Sequence, residues 1–181
     1  MDHDALKKEK SILMNMYGLF GAAIILSVLP HVAAAVLSLI FFSFALIRCY
    51  ALRKKAEHAS LIENHMSYLI RTFWISALIA FVTMIAAGIY LFSSIDPMAF
   101  YPCAEPIIAH AQEMAEKSDI ALLASMSQPC MANFLEANRH ALMAALAIAA
   151  VPVLLYVGYR FAAGLSRASK GYRMANPKGW L

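Results

Sequence analysis

The sequence predicts an all-α integral membrane protein: a four-helix bundle with both termini cytoplasmic and a helical, disulfide-linked outer loop. Three observations carry that prediction. Of 181 residues, 62% are hydrophobic and only 14% are charged, whereas soluble domains run about 45–50% apolar and about 25% charged. The apolar residues gather into uncharged runs long enough for the ~20 residues that a helix needs to cross a bilayer. Lysine and arginine fall mostly on one side of those runs, as they do in cytoplasmic loops. Glycine and proline number seven each, too few for collagen-like or low-complexity chains.

The first run, Ser11 to Ile47, is almost twice the length of a single span and carries Leu29-Pro30-His31 near its middle. Proline lacks the amide donor and disfavours helix at the residue before it. A hairpin is therefore expected, with span 1 over 12–29 and span 2 over 32–47. Lys7, Lys8 and Lys10 followed by an apolar run and Ala33-Ala34-Ala35 also have the form of a secretory signal. The chain stays apolar beyond Ala35, so a retained anchor is the expected form. Span 3 covers 70–93, ending at Asp96-Pro97. Span 4 covers 141–160 and contains Pro152, which membrane helices tolerate when neighbours satisfy the freed carbonyl. Between them lie a cytoplasmic loop (48–69) and an outer loop (94–139), and a cytoplasmic tail (161–181) follows. The whole chain is expected to form one membrane domain.

With both termini inside, thirteen of the fifteen basic residues are cytoplasmic, leaving only Lys117 and Arg139 outside. The excess of positive charge thus sets topology and can meet anionic headgroups. It does not point to nucleic acid, because no basic domain stands apart from the apolar runs. Trp74, Tyr17, Tyr50, Tyr90 and Tyr101 lie near span ends, as interfacial aromatics do.

The outer loop holds Tyr101-Pro102-Cys103 and Gln128-Pro129-Cys130. Residues 105–117 and 118–126 have helical apolar spacing and predict a short cap. In an oxidising compartment Cys103 and Cys130 are expected to pair, closing a loop worth roughly 3.5 kcal/mol in the chain-entropy account. Cys49, at the cytoplasmic end of span 2, is expected to be a free thiol.

His31 and His140 fall on the outer side and are the candidate haem or metal pair, with His110 available to join them. His58 and His65 form a second candidate pair on the cytoplasmic side. The more ordinary reading, interfacial histidines bonded to headgroups, water or carbonyls, is preferred for both pairs. No cofactor is expected, and haem is the alternative. No H-E-x-x-H zinc motif, C-x-x-C pair, phosphate loop or nucleophile elbow occurs, and no charge falls in mid-span, where proton and ion pathways carry them. Enzyme activity is not expected.

The segment His65-Met66-Ser67-Tyr68-Leu69-Ile70-Arg71-Thr72-Phe73-Trp74 leads into span 3. Its pattern, H-x-x-x-x-I-R-T-F-W, resembles a segment of small uncharacterised bacterial inner-membrane proteins. The tail Met174-Ala175-Asn176-Pro177-Lys178-Gly179-Trp180 looks like the short basic tail of the same group. The resemblance covers about half the chain and implies a helical inner-membrane protein without assigned activity. Read from the residues alone, His65, Tyr68 and Thr72 share one helical face with Arg71 beside it, and Trp74 anchors depth. That face is a candidate for docking the tail or a partner subunit, the plainer alternative being an interfacial anchor. Ala141, Ala145 and Ala149 form a small-residue stripe that lets helices approach closely, within the chain or in an oligomer. The expected function is a non-catalytic structural or accessory subunit of a membrane assembly. A haem or metal protein, or a lipid- or small-solute-handling protein, is the alternative. The expected partners are the lipid bilayer and another membrane protein or a second copy.

Overall fold

The computed structural model describes residues 3–109 and 120–180. In chain order the helices are α1 (His3–Ser27), α2 (Val32–Lys55), α3 (Leu61–Ser94), a 3-10 turn (Pro97–Phe100), α4 (Tyr101–Ala109), α5 (Ile120–Ala137) and α6 (Arg139–Lys170). No strand occurs among the described residues. Four of these helices, α1, α2, α3 and α6, are long and apolar enough to cross a membrane. The chain divides into two compact units, one made of Met1–Ile79 with Val153–Leu181 and the other of Ala80–Pro152.

In the first unit, Pro30 breaks the long apolar run. Helix α1 stops at Ser27, two residues before the expected end. The His31 imidazole then caps α2, its Nδ1 accepting from the Ala33 amide at 3.2 Å. The antiparallel pair α1–α2 packs through small residues, Ala23 and Ala34 both being buried. The Ser38 hydroxyl donates to the Ala23 carbonyl at 2.9 Å. Leu13, Met16, Tyr17 and Phe20 of α1 meet Ala45 and Cys49 of α2, Leu61, Met66, Leu69 and Ile70 of α3, and Ala168 of α6 in one core. Phe20, Phe42, Phe73 and Trp74 stack edge to face or tilted along this core, with successive centroids 5.3, 6.4 and 5.5 Å apart.

The segment 48–69 is not the loop expected from the hydropathy. Helix α2 runs on to Lys55 and α3 begins at Leu61, so only residues 56–60 turn the chain. The turn uses a capping arrangement: Ser60 Oγ accepts from the Glu63 amide at 3.1 Å, and Glu63 Oε2 accepts from the Ala59 amide at 2.6 Å. Ala59 takes a positive φ of 62° to make this possible. Charged residues hid the helix ends because the span-finding pattern weighs apolarity, while the hydrogen-bonded helix simply continues past it. At 34 and 32 residues, α3 and α6 are about 50 Å long, at ~1.5 Å per residue. That is well beyond the ~30 Å hydrocarbon core.

Helix α6 ends in a Schellman motif. Gly171 adopts φ +75°. Its amide donates to the Ala168 carbonyl at 3.0 Å and the Tyr172 amide to the Arg167 carbonyl at 2.9 Å. This reverses the chain and sends residues 172–180 back along the helices.

In the second unit, Asn138 joins the end of α3 to the α5–α6 junction. Its Oδ1 accepts from the Asp96 amide at 2.7 Å, and its Nδ2 donates to the Asp96 and Phe134 carbonyls at 3.1 and 3.0 Å. Pro129 does not end the helix predicted to stop near Met126; α5 carries it internally and continues to Ala137. Phe100 and Phe134 meet edge to face, and an apolar cavity of about 600 Å³ opens between α4 and α5. Of the small-residue stripe on α6, Ala145 is buried, and the Thr83 hydroxyl of α3 donates to the Ala149 carbonyl at 3.0 Å.

Candidate functional site

The first unit gathers most of its buried polar side chains at one place, where residues 172–180 lie against α1, α3 and α6. Tyr17, Asn64, His65, Tyr68, Thr72 and Arg160 are all buried there. Such groups cost several kcal/mol each in apolar surroundings unless they are hydrogen-bonded, so their partners define what the site does.

His65 lies between Tyr17 and the tail. One ring nitrogen, Nε2, is 2.9 Å from the Tyr172 carbonyl oxygen. A carbonyl only accepts, so Nε2 carries the proton. The other, Nδ1, is 2.9 Å from the Tyr17 hydroxyl and accepts from it in the neutral ring. The rings of Tyr17 and His65 meet edge to face at 5.8 Å. Immediately before His65, in the first turn of α3, Asn64 pairs with Met174 as one strand pairs with another. Its Oδ1 accepts from the Met174 amide at 2.7 Å and its Nδ2 donates to the Met174 carbonyl at 3.1 Å.

Arg160 is wholly buried. Its Nε donates to Thr72 Oγ1 at 3.0 Å, Nη1 to the Gly179 carbonyl at 3.1 Å, and Nη2 to the Tyr68 carbonyl at 3.5 Å. The guanidinium carbon stands 3.8 Å from the centre of the Tyr68 ring, well inside cation–π range. Tyr68 returns the contact by donating its hydroxyl to the Arg160 carbonyl at 2.8 Å. Thr72 donates to the Tyr68 carbonyl at 2.8 Å while accepting from Arg160, so one hydroxyl serves two helices. Among the described residues no carboxylate forms an ion pair with Arg160. The charge is held by carbonyl dipoles, a hydroxyl and a π face.

The tail itself is shaped to be held. The Gly179 amide donates to the Asn176 carbonyl at 3.2 Å. With Pro177 at the second position and Gly179 at the fourth, Asn-Pro-Lys-Gly has the residues that favour a β-turn. That turn presents the Gly179 carbonyl to Arg160. Arg167 Nη1 donates to the Arg173 carbonyl at 3.0 Å, and the Arg71 guanidinium lies 5.8 Å from the Trp180 ring. Close approach of the helices is also required. A Cβ on Gly164 would meet the Tyr17 hydroxyl and come within 2.9 Å of its ring carbons.

Of the face singled out in the sequence, His65, Tyr68, Arg71 and Thr72 all meet the tail or its Arg160 anchor. Trp74 does not; its indole N–H donates to the Tyr50 hydroxyl at 2.9 Å, and both residues are exposed. Tyr17 is not an interfacial aromatic but a core residue. Arg160, read as a topology-setting charge, is the largest fully buried side chain among the described residues. Its signal was present in the sequence: Arg160 is flanked by Tyr159 and Phe161 with no other charge until Arg167. Asn64 went unnoticed because an isolated asparagine beside a glutamate reads as surface.

The outer-face histidines are placed differently. His31 caps α2 and is exposed; His140 is exposed at the start of α6 and belongs to the other unit. His110 lies outside the described residues. His58 is exposed, 3.8 Å from Glu63, whereas both ring nitrogens of its partner in the second expected pair, His65, are engaged within the chain. Among the described residues no three metal-ligating side chains gather. Cys49 is a buried free thiol. Cys130 is buried, and the Cys103 side chain that it was expected to meet lies outside the described residues. No family model matches the chain, and no curated protein or solved structure matches it.

Proposed function

We propose that the protein is a non-catalytic, four-span membrane protein that serves as a structural or accessory subunit of a membrane assembly. What carries this reading is the use made of its buried polar residues. His65, Asn64 and Arg160 each bond to a backbone group of residues 172–179. Their hydrogen-bonding capacity goes into fixing a surface, and into holding the tail in one shape at the basic end of the helices. The long exposed apolar faces of α2, α3 and α6, from Val32 and Leu39 to Phe92 and Leu155, suit lipid or a neighbouring helix better than water. The basic bias argues for both termini on the cytoplasmic face. The resemblance of the H-x-x-x-x-I-R-T-F-W segment argues for a bacterial inner membrane. A Cys103–Cys130 bridge on the outer side belongs to the same reading.

The test is purification from native expression in a mild detergent, with mass spectrometry of what is retained and an absorption spectrum of the same sample. A reproducible, stoichiometric set of membrane partners is expected. A homogeneous, partner-free monomer would sink the proposal, and a Soret band would move the assignment to haem bound through His31 or His140.

A further inference from the structure

Beside His65, Asn64 and Arg160, whose hydrogen bonds clasp residues 172–179, the first unit holds a small cavity of about 280 Å³ lined by Arg53 of α2, by Ser67, Ile70, Arg71 and Trp74 of α3, and by Lys178 of the tail. Three cations line it and no carboxylate does. Among the described residues none of the three forms an ion pair. Surface lysines and arginines are commonly neutralised by neighbours, so three unpaired cations around one cavity constitute a local field that favours an anion. Ser67 adds a second, independent sign. The residue is more than nine-tenths buried and lines the cavity, yet among the described residues its hydroxyl makes no hydrogen bond. Arginine and lysine supply charge-assisted donors to phosphate oxygens, and a serine hydroxyl supplies a neutral one. On its membrane side the cavity is edged by Ile70 and by the exposed Trp74, whose indole is bonded to Tyr50. Paired aromatics of this kind sit at headgroup depth.

We propose that this cavity is a binding site for a phosphate group, borne either by the headgroup of an anionic glycerophospholipid or by a soluble phosphoanion. The site is completed by the tail. Lys178 belongs to the Asn176–Gly179 turn that Arg160 holds through Gly179, so the clasp delivers the third cation to a ledge that α2 and α3 have already built. The inference does not depend on the accessory-subunit reading.

The test uses the full chain, delipidated in a neutral detergent, titrated separately with phosphatidylglycerol, phosphatidylcholine and inorganic phosphate, and read by native mass spectrometry and thermal unfolding. Saturable binding of phosphatidylglycerol but not phosphatidylcholine is expected for a lipid site. Saturable binding of inorganic phosphate without lipid preference assigns a soluble phosphoanion. Each cation near an anionic headgroup is worth about fivefold in affinity, so Arg53→Gln with Lys178→Gln should weaken binding by about 25-fold. Lys55→Gln, an exposed charge outside the cavity, should change it less than twofold. Should the double variant not fold, Ser67→Ala decides, because that hydroxyl has no partner to lose. Weaker binding supports the site and unchanged binding overturns it. Equal binding of the two lipids with no phosphate binding, or equal weakening by Lys55→Gln, also overturns it.

Discussion

The guanidinium of Arg160 and the ring of Tyr68 are 3.8 Å apart, and the Tyr68 hydroxyl donates to the Arg160 carbonyl. The two residues, 92 positions apart, thus bind each other twice, once through the charge and once through the backbone. Removing either side chain leaves a buried polar group behind on the other helix.

Arg160→Ala is expected to destabilise the protein by about 3–5 kcal/mol, the range for stranding the partners of a buried charge. Arg160→Lys should recover little. An ammonium lacks the planar fork that reaches Thr72, Tyr68 and Gly179 at once. Denaturant unfolding of the detergent-solubilised protein checks both, and a lysine variant as stable as the parent refutes the account.

Tyr17→Phe removes the donor to His65 Nδ1 without changing the packing volume. The expected cost is about 1–2 kcal/mol, that of an unsatisfied buried acceptor. The change should also loosen the tail, because His65 is the link between Tyr17 and Tyr172. Hydrogen exchange at residues 172–179 should therefore quicken in Tyr17→Phe even though the tyrosine touches none of them through a hydrogen bond.

Gly164→Ala should destabilise by about 2–3 kcal/mol, since the added methyl overlaps the Tyr17 hydroxyl and ring in a packed core. Combining it with Tyr17→Phe should cost less than the sum of the two. The hydroxyl that the methyl strikes is absent in the double variant, and contacting residues are expected to couple by about 0.5–3 kcal/mol. A double-variant cycle measured by thermal unfolding reads this directly; strict additivity would show that the two positions are not in contact.

Ala59→Gly is expected to stabilise. Ala59 holds φ 62°, where an L-residue pays about 1–2 kcal/mol that glycine does not, against glycine's smaller extra loss of chain entropy. A net gain of about 0.5–1 kcal/mol in unfolding free energy is expected, and a loss of stability in its place would exclude the strained turn.

The architecture was legible where a single residue forces a single outcome. Pro30 had to interrupt the apolar run, and the α1–α2 turn lies there; the four apolar stretches had to be helical because strands would alternate. Element ends were less legible. The residues 48–55 and 61–69 are polar enough to resemble a loop, yet their backbone remains in helix, supported by Ser60 and Glu63 at the turn and by the core beneath Leu61, Met66 and Leu69. The docking face could be read from the spacing of His65, Tyr68 and Thr72. What met it could not, because burial of Arg160 depends on Gly164 letting α1 approach and on a tail turn more than a hundred residues from His65. Hydropathy treats an arginine at the end of an apolar run as solvent-facing unless its partners are already known.

The clasp also orders events in time. His65 and Tyr172 are 107 residues apart, and a ribosome adding about 5–20 residues per second needs roughly 5–20 s to make the second after the first. Through that interval α3 exists with its imidazole and Asn64 lacking their final partners. Residues 172 and 174 supply them. Because those partners are backbone groups, almost any side chains on the tail would do, but the spacing from Tyr172 to Gly179 and the Asn-Pro-Lys-Gly turn must be kept. A nascent chain stopped before residue 172 therefore presents an open polar notch, and one that extends past Gly179 does not. Whatever surveys newly made membrane proteins has in that notch a visible difference between a chain that still lacks residues 172–179 and one that has them.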